Sequence, residues 1–147
     1  MLHIGTILHP TDFSADSEHA FQLACSLARD HGGRIIVVHV TEPPETMMGE
    51  FGLVPAEPDD DVEDLQEKLQ QIQSPDPAVA IERELCEGDP SSQILAAARE
   101  SHCDLIVMGT HGHSALREAL LGSVAEEVVR HAPCAVLTVN TPVPVTA

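Results

Sequence analysis

Residues 4–40 read IGTILHPTDFSADSEHAFQLACSLARDHGGRIIVVHV, and the order of patterns in this stretch decides the fold. Ile4 to His9 is a short apolar run suited to a strand. Ser14 then opens a segment in which Ala20, Leu23, Ala24, Leu27 and Ala28 recur at the i, i+3, i+4, i+7, i+8 spacing of one helix face. Gly32-Gly33 stops this helix, since glycine accepts the left-handed backbone that ends helices. Arg34 to Val40 follows as a β-branched run with too little alternation for a half-exposed strand, so both of its faces should be covered. Strand, helix and strand in this order make a parallel pair joined by a crossover helix.

The rest of the chain repeats the pattern after one interruption. From Thr41 to Asp61 the composition turns to Pro, Gly, Met and acid with no helical or strand period, and an acidic loop or lid is expected there. Val62, Leu65, Leu69 and Ile72 return at helical spacing, and Ala78 to Cys86 reads as a third strand with alternating apolar and charged positions. Asp89-Pro90 places a capping acceptor before a proline in the first helical turn, and Ile94, Leu95 and Ala98 continue that helix's apolar face. Asp104 to Gly109 is a fourth strand, Ser123 to His131 a fourth helix, and Cys134 to Val139 a fifth strand. The expected architecture is α/β, with a mainly parallel sheet covered by helices on both faces. Ligands of such sheets sit beyond the carboxyl ends of strands, where the winding reverses. That directs attention to Pro10-Thr11-Asp12-Phe13-Ser14 and Gly109-Thr110-His111-Gly112-His113.

Size and charge narrow the function classes. Residues 1–147 are expected to form one domain, long enough to bury roughly two-thirds of the unfolded surface. A net charge of −17, from 24 acidic and 7 basic side chains, repels a phosphate backbone. With no Trp or Tyr, a base-stacking platform is also missing, so nucleic acid is not an expected partner. The charge reads instead as a solvated surface. No stretch approaches the length of a membrane span and the amino terminus lacks signal-peptide features, so the expected location is the cytoplasm. Cys25, Cys86, Cys103 and Cys134 are irregularly spaced with no C-x-x-C pair, and read as reduced core thiols. The nine His are scattered without metal-ligand spacing, and no G-x-S-x-G surrounds a serine.

From Gly109 the chain runs GTHGHSALREALLGS, which fixes Gly109, Gly112, Gly122 and the hydroxyl of Ser123 around one connection. Glycine lets main-chain N–H groups approach one anion, and a helix start at Ser123 adds unpaired N–H groups and the positive end of its dipole. A phosphate cradle is one reading. In another, the glycines only end strands and helices, and Ser123 with Glu126 forms a capping box. The sequence leaves the role of the Ser123 hydroxyl open.

With their surroundings included, ILHPTDFS, DLIVMGTHG and LLGSVAEEVVRHAPCAVLTV resemble the universal stress protein family over nearly the whole chain, least so from Thr41 to Pro77. The resemblance implies a Rossmann-like, five-stranded parallel sheet of order 3-2-1-4-5. It also implies binding of ATP, or of AMP or ADP, through a G-x2-G-x9-G-[ST] motif that is complete here. On matching positions, Pro10, Thr11 and Asp12 would line the nucleoside side, with the Asp12 carboxylate accepting from ribose hydroxyls. Val40 would pack on the base, and Met108 and Gly109 would shape the nucleoside pocket. Gly112, His113, Gly122, Ser123 and Val124 would surround the phosphates, with His111 beside them. His113 stands where ATP-binding relatives often carry Lys or Arg, so affinity is expected to be weak or pH-sensitive. Arg117, or Mg²⁺ or Mn²⁺ bridging the phosphates, could compensate, while the plainer alternative leaves His113 as a polar loop residue.

The resemblance further implies a homodimer through the last strand, Cys134 to Val139, which would otherwise be an exposed edge. Alternatively, Pro142 and Pro144 shield that edge in a monomer. The resulting reading is a nucleotide-dependent stress-response switch, with slow ATP hydrolysis at most, since nothing marks a general base. Its rival is a dimeric interaction protein that binds an unknown partner, with Glu42 to Asp61 as a contact surface. His111-Gly112-His113 also invites comparison with the H-x-G-H signature of nucleotidylyltransferases. Thr110 replaces the first His, however, and the segment follows the fourth strand rather than the first.

Overall fold

The computed structural model describes residues 3–42, 46–49, 52–55, 62–110 and 121–140. β1 (Thr6–Pro10) leads through α1 (Ala15–His31) into β2 (Arg34–Thr41). α1 begins where the Ser14 side chain accepts from the Ser17 N–H, and ends where Gly32 adopts φ +66°. An L side chain is strained at that φ, which is the physical reason for glycine at this stop. β3 (Thr46–Gly49), β4 (Gly52–Pro55), α2 (Val62–Gln71), β5 (Ala80–Glu87) and α3 (Pro90–Ser101) follow, then β6 (Leu105–Gly109), α4 (Ser123–His131) and β7 (Ala135–Val139). Asp89 caps α3 by accepting from the Ser92 N–H, with Pro90 in the first turn as the sequence predicts.

Five strands form one sheet in the order β5-β2-β1-β6-β7, which is 3-2-1-4-5 when these five alone are numbered. All four of its pairings are parallel. Side chains alternate across each strand, so the two faces bury different residues. Ile7, Ile35, Val37 and Val107 pack with Ala20, Phe21, Ala24 and Ala28 of α1 and Leu69 of α2. Leu8, Ile36, Val38, Ile106 and Met108 pack with Ile94 and Ala98 of α3 and Ala125 and Val128 of α4. Each fully buried aliphatic side chain of this kind contributes about 1.5–3 kcal/mol, so the sheet centre carries much of the stability.

One expectation is corrected. The acidic segment 41–61, read as loop without strands, contains an antiparallel hairpin in which Thr46 pairs with Pro55, Met47 with Val54, Met48 with Leu53 and Gly49 with Gly52. Four-residue strands that include Gly and Pro give no measurable alternation, and the pairing is made by the backbone. The cysteines also divide. Cys25 and Cys103 are buried, whereas Cys86 and Cys134 are half-buried, and all four are free thiols.

Candidate functional site

Two connections leave the carboxyl edge of the sheet side by side, because β1 and β6 pair directly with Ile7 opposite Leu105 and Leu8 opposite Ile106. The first, after β1, is locked by its own polar groups. The Thr11 N–H donates to Val38 O (2.9 Å). The Phe13 N–H donates to Thr11 Oγ1 (3.1 Å), the Ser14 N–H to Asp12 Oδ1 (3.0 Å) and Ser17 Oγ to the same carboxylate oxygen (2.7 Å). These bonds hold Phe13 at φ +63°, a conformation non-glycine residues seldom adopt. His39 of β2 reaches across with Nδ1 2.7 Å from Thr11 O and packs at a tilt of 43° against Phe13, ring centroids 4.6 Å apart. Asp12, expected to serve a ribose, thus has Oδ1 engaged in shaping the turn. The Asp12 to Ser14 spacing is an Asx-turn signal, whereas nothing in the sequence links His39 or Ser17 to this turn.

The second connection follows β6 and is pinned at both ends. The Thr110 N–H donates to Val139 O (3.0 Å), and the Gly122 N–H donates to Thr110 O (2.8 Å). α4 then starts with Gly122 as its N-cap and no side-chain capping bond, while the Glu126 N–H donates to Gly122 O (2.9 Å). The capping-box alternative is therefore not realised: Ser123 lies inside the helix and is exposed. Thr110, not singled out by the sequence as a ligand, is 2% exposed, and its Oγ1 has no partner among the described residues.

The motif's glycines have different physical causes. A Cβ on Gly109 would lie 2.9 Å from the Asp16 carbonyl carbon, so glycine is needed there for the first turn of α1 to pack against β6. Gly122 has φ −69° and ψ 162°, extended backbone that any residue adopts. Backbone geometry supplies no reason for glycine at that position. His111, Gly112, His113 and Arg117 lie outside the described residues.

Other expected residues converge on one face of the sheet. Met108 is buried in the cluster beneath α3 and α4, and Val40 and Val124 pack against that same cluster. Pro10 ends β1 beside them and is buried. On the opposite face, a cavity of about 410 Å³ opens between α1 and α2, lined by His9, Thr11, Phe13, Ser17, Phe21 and Lys68 among others. It shares only Thr11 with the expected nucleotide residues and contains no glycine of the motif. At its floor, His9 is fully buried and Nδ1 lies 2.9 Å from Val107 O. Burial lowers the His9 pKa to about 4, against the opposing pull of that hydrogen bond and of the Asp12 charge. Among the described residues, no group of three or more His, Cys, Asp or Glu side chains could hold a metal ion, and no helix is long and apolar enough to cross a membrane.

A parallel sheet wound outward in both directions, with turns from β1 and β6 leaving its carboxyl edge side by side, defines a doubly wound α/β protein whose topological switch point lies between those strands. Residues 3–140 match the model of the universal stress protein family, and the chain belongs to that family. A universal stress protein of Methanocaldococcus jannaschii is 34% identical over 144 residues, covering 92% of this chain and 82% of the relative. One from Thermus aquaticus is 36% identical over 139 residues, covering 92% and 98%. Among solved structures, the universal stress protein UspA from Lactobacillus plantarum aligns with a TM-score of 0.76 at 24% identity, covering 95% of this chain and 99% of that one. A universal stress protein in complex with cAMP aligns with a TM-score of 0.68 at 24% identity, covering 96% and 100%. One from Archaeoglobus fulgidus in complex with dAMP aligns with a TM-score of 0.63 at 23% identity, covering 95% and 99%. At these identities the structural likeness is one of fold.

Proposed function

We propose that the chain binds ATP or a related adenine nucleotide in the crevice between the β1–α1 turn and the β6–α4 connection, and acts in the cytoplasm as a nucleotide-dependent switch. The observation that carries this reading is the start of α4. Among the described residues, its N-terminal N–H groups have no side-chain cap, they follow a glycine that backbone geometry does not demand, and that glycine bonds the backbone of Thr110, whose hydroxyl also has no partner there. Helix starts of this kind favour anions through the dipole and unpaired donors, with a contribution of about 0.3–2 kcal/mol. Solved family structures in complex with cAMP and dAMP support the adenine class.

In this arrangement Val40 offers apolar atoms to the base, Met108 and Gly109 shape the nucleoside pocket, and Pro10, Thr11 and Asp12 border the nucleoside. Gly122, Ser123 and Val124 flank the phosphates, with His111, Gly112 and His113 supplied by the connection itself. A net charge of −17 opposes a polyphosphate at long range, so Mg²⁺ or Mn²⁺ carried on the phosphates should raise affinity. Calorimetric titration with ATP, AMP and GTP, with and without Mg²⁺, tests the class. Gly122→Val puts a branched side chain where the phosphates would approach, at a φ that valine tolerates. The expected result is a loss of at least tenfold in ATP affinity with the unfolding midpoint nearly unchanged, and undiminished affinity would reject the placement.

The dimeric state is proposed on the two sheet edges. β5 carries exposed Glu82 and Glu84, charges that discourage pairing, whereas β7 (Ala135–Val139) has no charged residue and leaves Leu137 37% exposed.

A further inference from the structure

The four cysteines are scattered in sequence, yet folding brings two of them together. Cys103, buried just before β6, and Cys134, half-buried just before β7, have their Sγ atoms 3.6 Å apart. β6 and β7 pair in parallel with Leu105 opposite Ala135, which places both cysteines at the amino ends of neighbouring strands. Neighbouring strands run about 4.8 Å apart and the one-residue offset of the two cysteines adds about 3.3 Å along the strand, a separation compatible with the roughly 4.4–6.8 Å between Cα atoms that a disulfide accepts. The sulfurs must close to about 2.05 Å, a movement that side-chain rotation in the segments preceding the strands can supply.

We propose that Cys103 and Cys134 form an oxidation site, converted by hydrogen peroxide into an intrachain disulfide. The Cys103 thiolate attacks one peroxide oxygen. The O–O bond breaks, hydroxide leaves and takes the thiol proton to become water, and Cys103 becomes a sulfenic acid. The Cys134 sulfur then attacks the Cys103 sulfur, and the sulfenic oxygen leaves with the Cys134 proton as a second water. In sum, two thiols and one hydrogen peroxide give one disulfide and two waters, with two electrons passing from sulfur to oxygen. The same balance holds with the two sulfurs exchanged, since either can donate the hydrogen bond between them. Burial raises the pKa of both thiols, and the charge of one disfavours ionisation of the other. Both directions make the reaction slow near neutrality, as befits a response to sustained oxidant rather than to a trace.

The cross-link would close a loop holding the pinned Thr110–Gly122 connection and the whole of α4, and so would restrict the unfolded chain. It stands at the amino ends of the strands, remote from the carboxyl-edge crevice, and does not rest on the nucleotide proposal. To test it, the unaltered full chain is incubated with hydrogen peroxide, excess thiol is alkylated, and intact mass and a non-reducing peptide map are recorded. The expected outcome is a chain carrying two alkyl groups, on Cys25 and Cys86, and two hydrogens fewer, with the Cys103 and Cys134 peptides linked. A thiol reductant should reverse the link, and the unfolding midpoint should be higher by roughly 5–10 °C while it is intact. Cys103→Ser and Cys134→Ser should each remove the linked peptide, whereas Cys25→Ser and Cys86→Ser should leave it. Recovery of both peptides alkylated, over-oxidised singly, or joined only between two chains would overturn the proposal. The map of the unaltered chain decides this whether or not the buried Cys103→Ser variant folds.

Discussion

His9 shows how a single side chain near the site titrates without belonging to the anion crevice. It is fully buried, and its folded pKa of about 4 lies below the ordinary value of 6.5. As pH falls, the unfolded chain therefore takes up the proton first. The stability contributed by the neutral ring is whole above pH 6.5 and is lost between 6.5 and about 4. The full window corresponds to about 3 kcal/mol, of which about 2 kcal/mol should be gone by pH 5. His9→Gln keeps a donor for Val107 O and removes the titration. Urea unfolding at pH 7 and pH 5 should show a smaller loss in the variant than in the unaltered chain, and equal losses would assign the pH dependence elsewhere. Asp104 titrates in a separate, more acidic window, because the Gly5 and Thr6 N–H groups hold its carboxyl below the usual carboxylate range.

Among the elements, α2 is fastened to its neighbour in an unusual way. Arg83 of β5 donates from Nε to Leu69 O (2.9 Å) and from Nη2 to Ile72 O (2.6 Å), so a guanidinium satisfies carbonyls at the carboxyl end of the helix. Arg83→Ala should cost about 2 kcal/mol, and the loss should be local. Hydrogen exchange is expected to quicken in α2 while β1 and β2 keep their protection; uniform quickening would show that the contact supports the whole fold instead. At this scale the sequence was largely legible. Ser14, Gly32 and Asp89-Pro90 mark helix ends through local hydrogen bonding and φ, and the long apolar runs mark strands buried on both sides. The β3–β4 hairpin was not legible, because its strands are too short to show a period. Nor was the Cys103–Cys134 pair, which exists only once β6 and β7 align. Within the candidate site, the glycine motif could be read. The division of labour between Gly109 and Gly122 could not, since it depends on which atoms lie opposite each Cα.

For the whole molecule, the acidic balance and the two unlike sheet edges bear on the proposed pairing of copies. The net charge of −17 keeps molecules apart, and apolar β7 is the edge on which that repulsion can be overcome locally. Leu137→Lys should convert a dimer to a monomer in sedimentation at physiological salt, with at least a tenfold rise in the dissociation constant. An unaltered chain that sediments as a monomer would refute pairing through β7. The bond between the Gly122 N–H and Thr110 O has a further consequence for how this protein can change over time. Because it ties the base of the β6–α4 connection, the bond fixes β6 and α4 to each other whatever side chains the connection carries. Under the proposed function, ligand preference could then drift from one lineage to the next while the scaffold beneath is left alone.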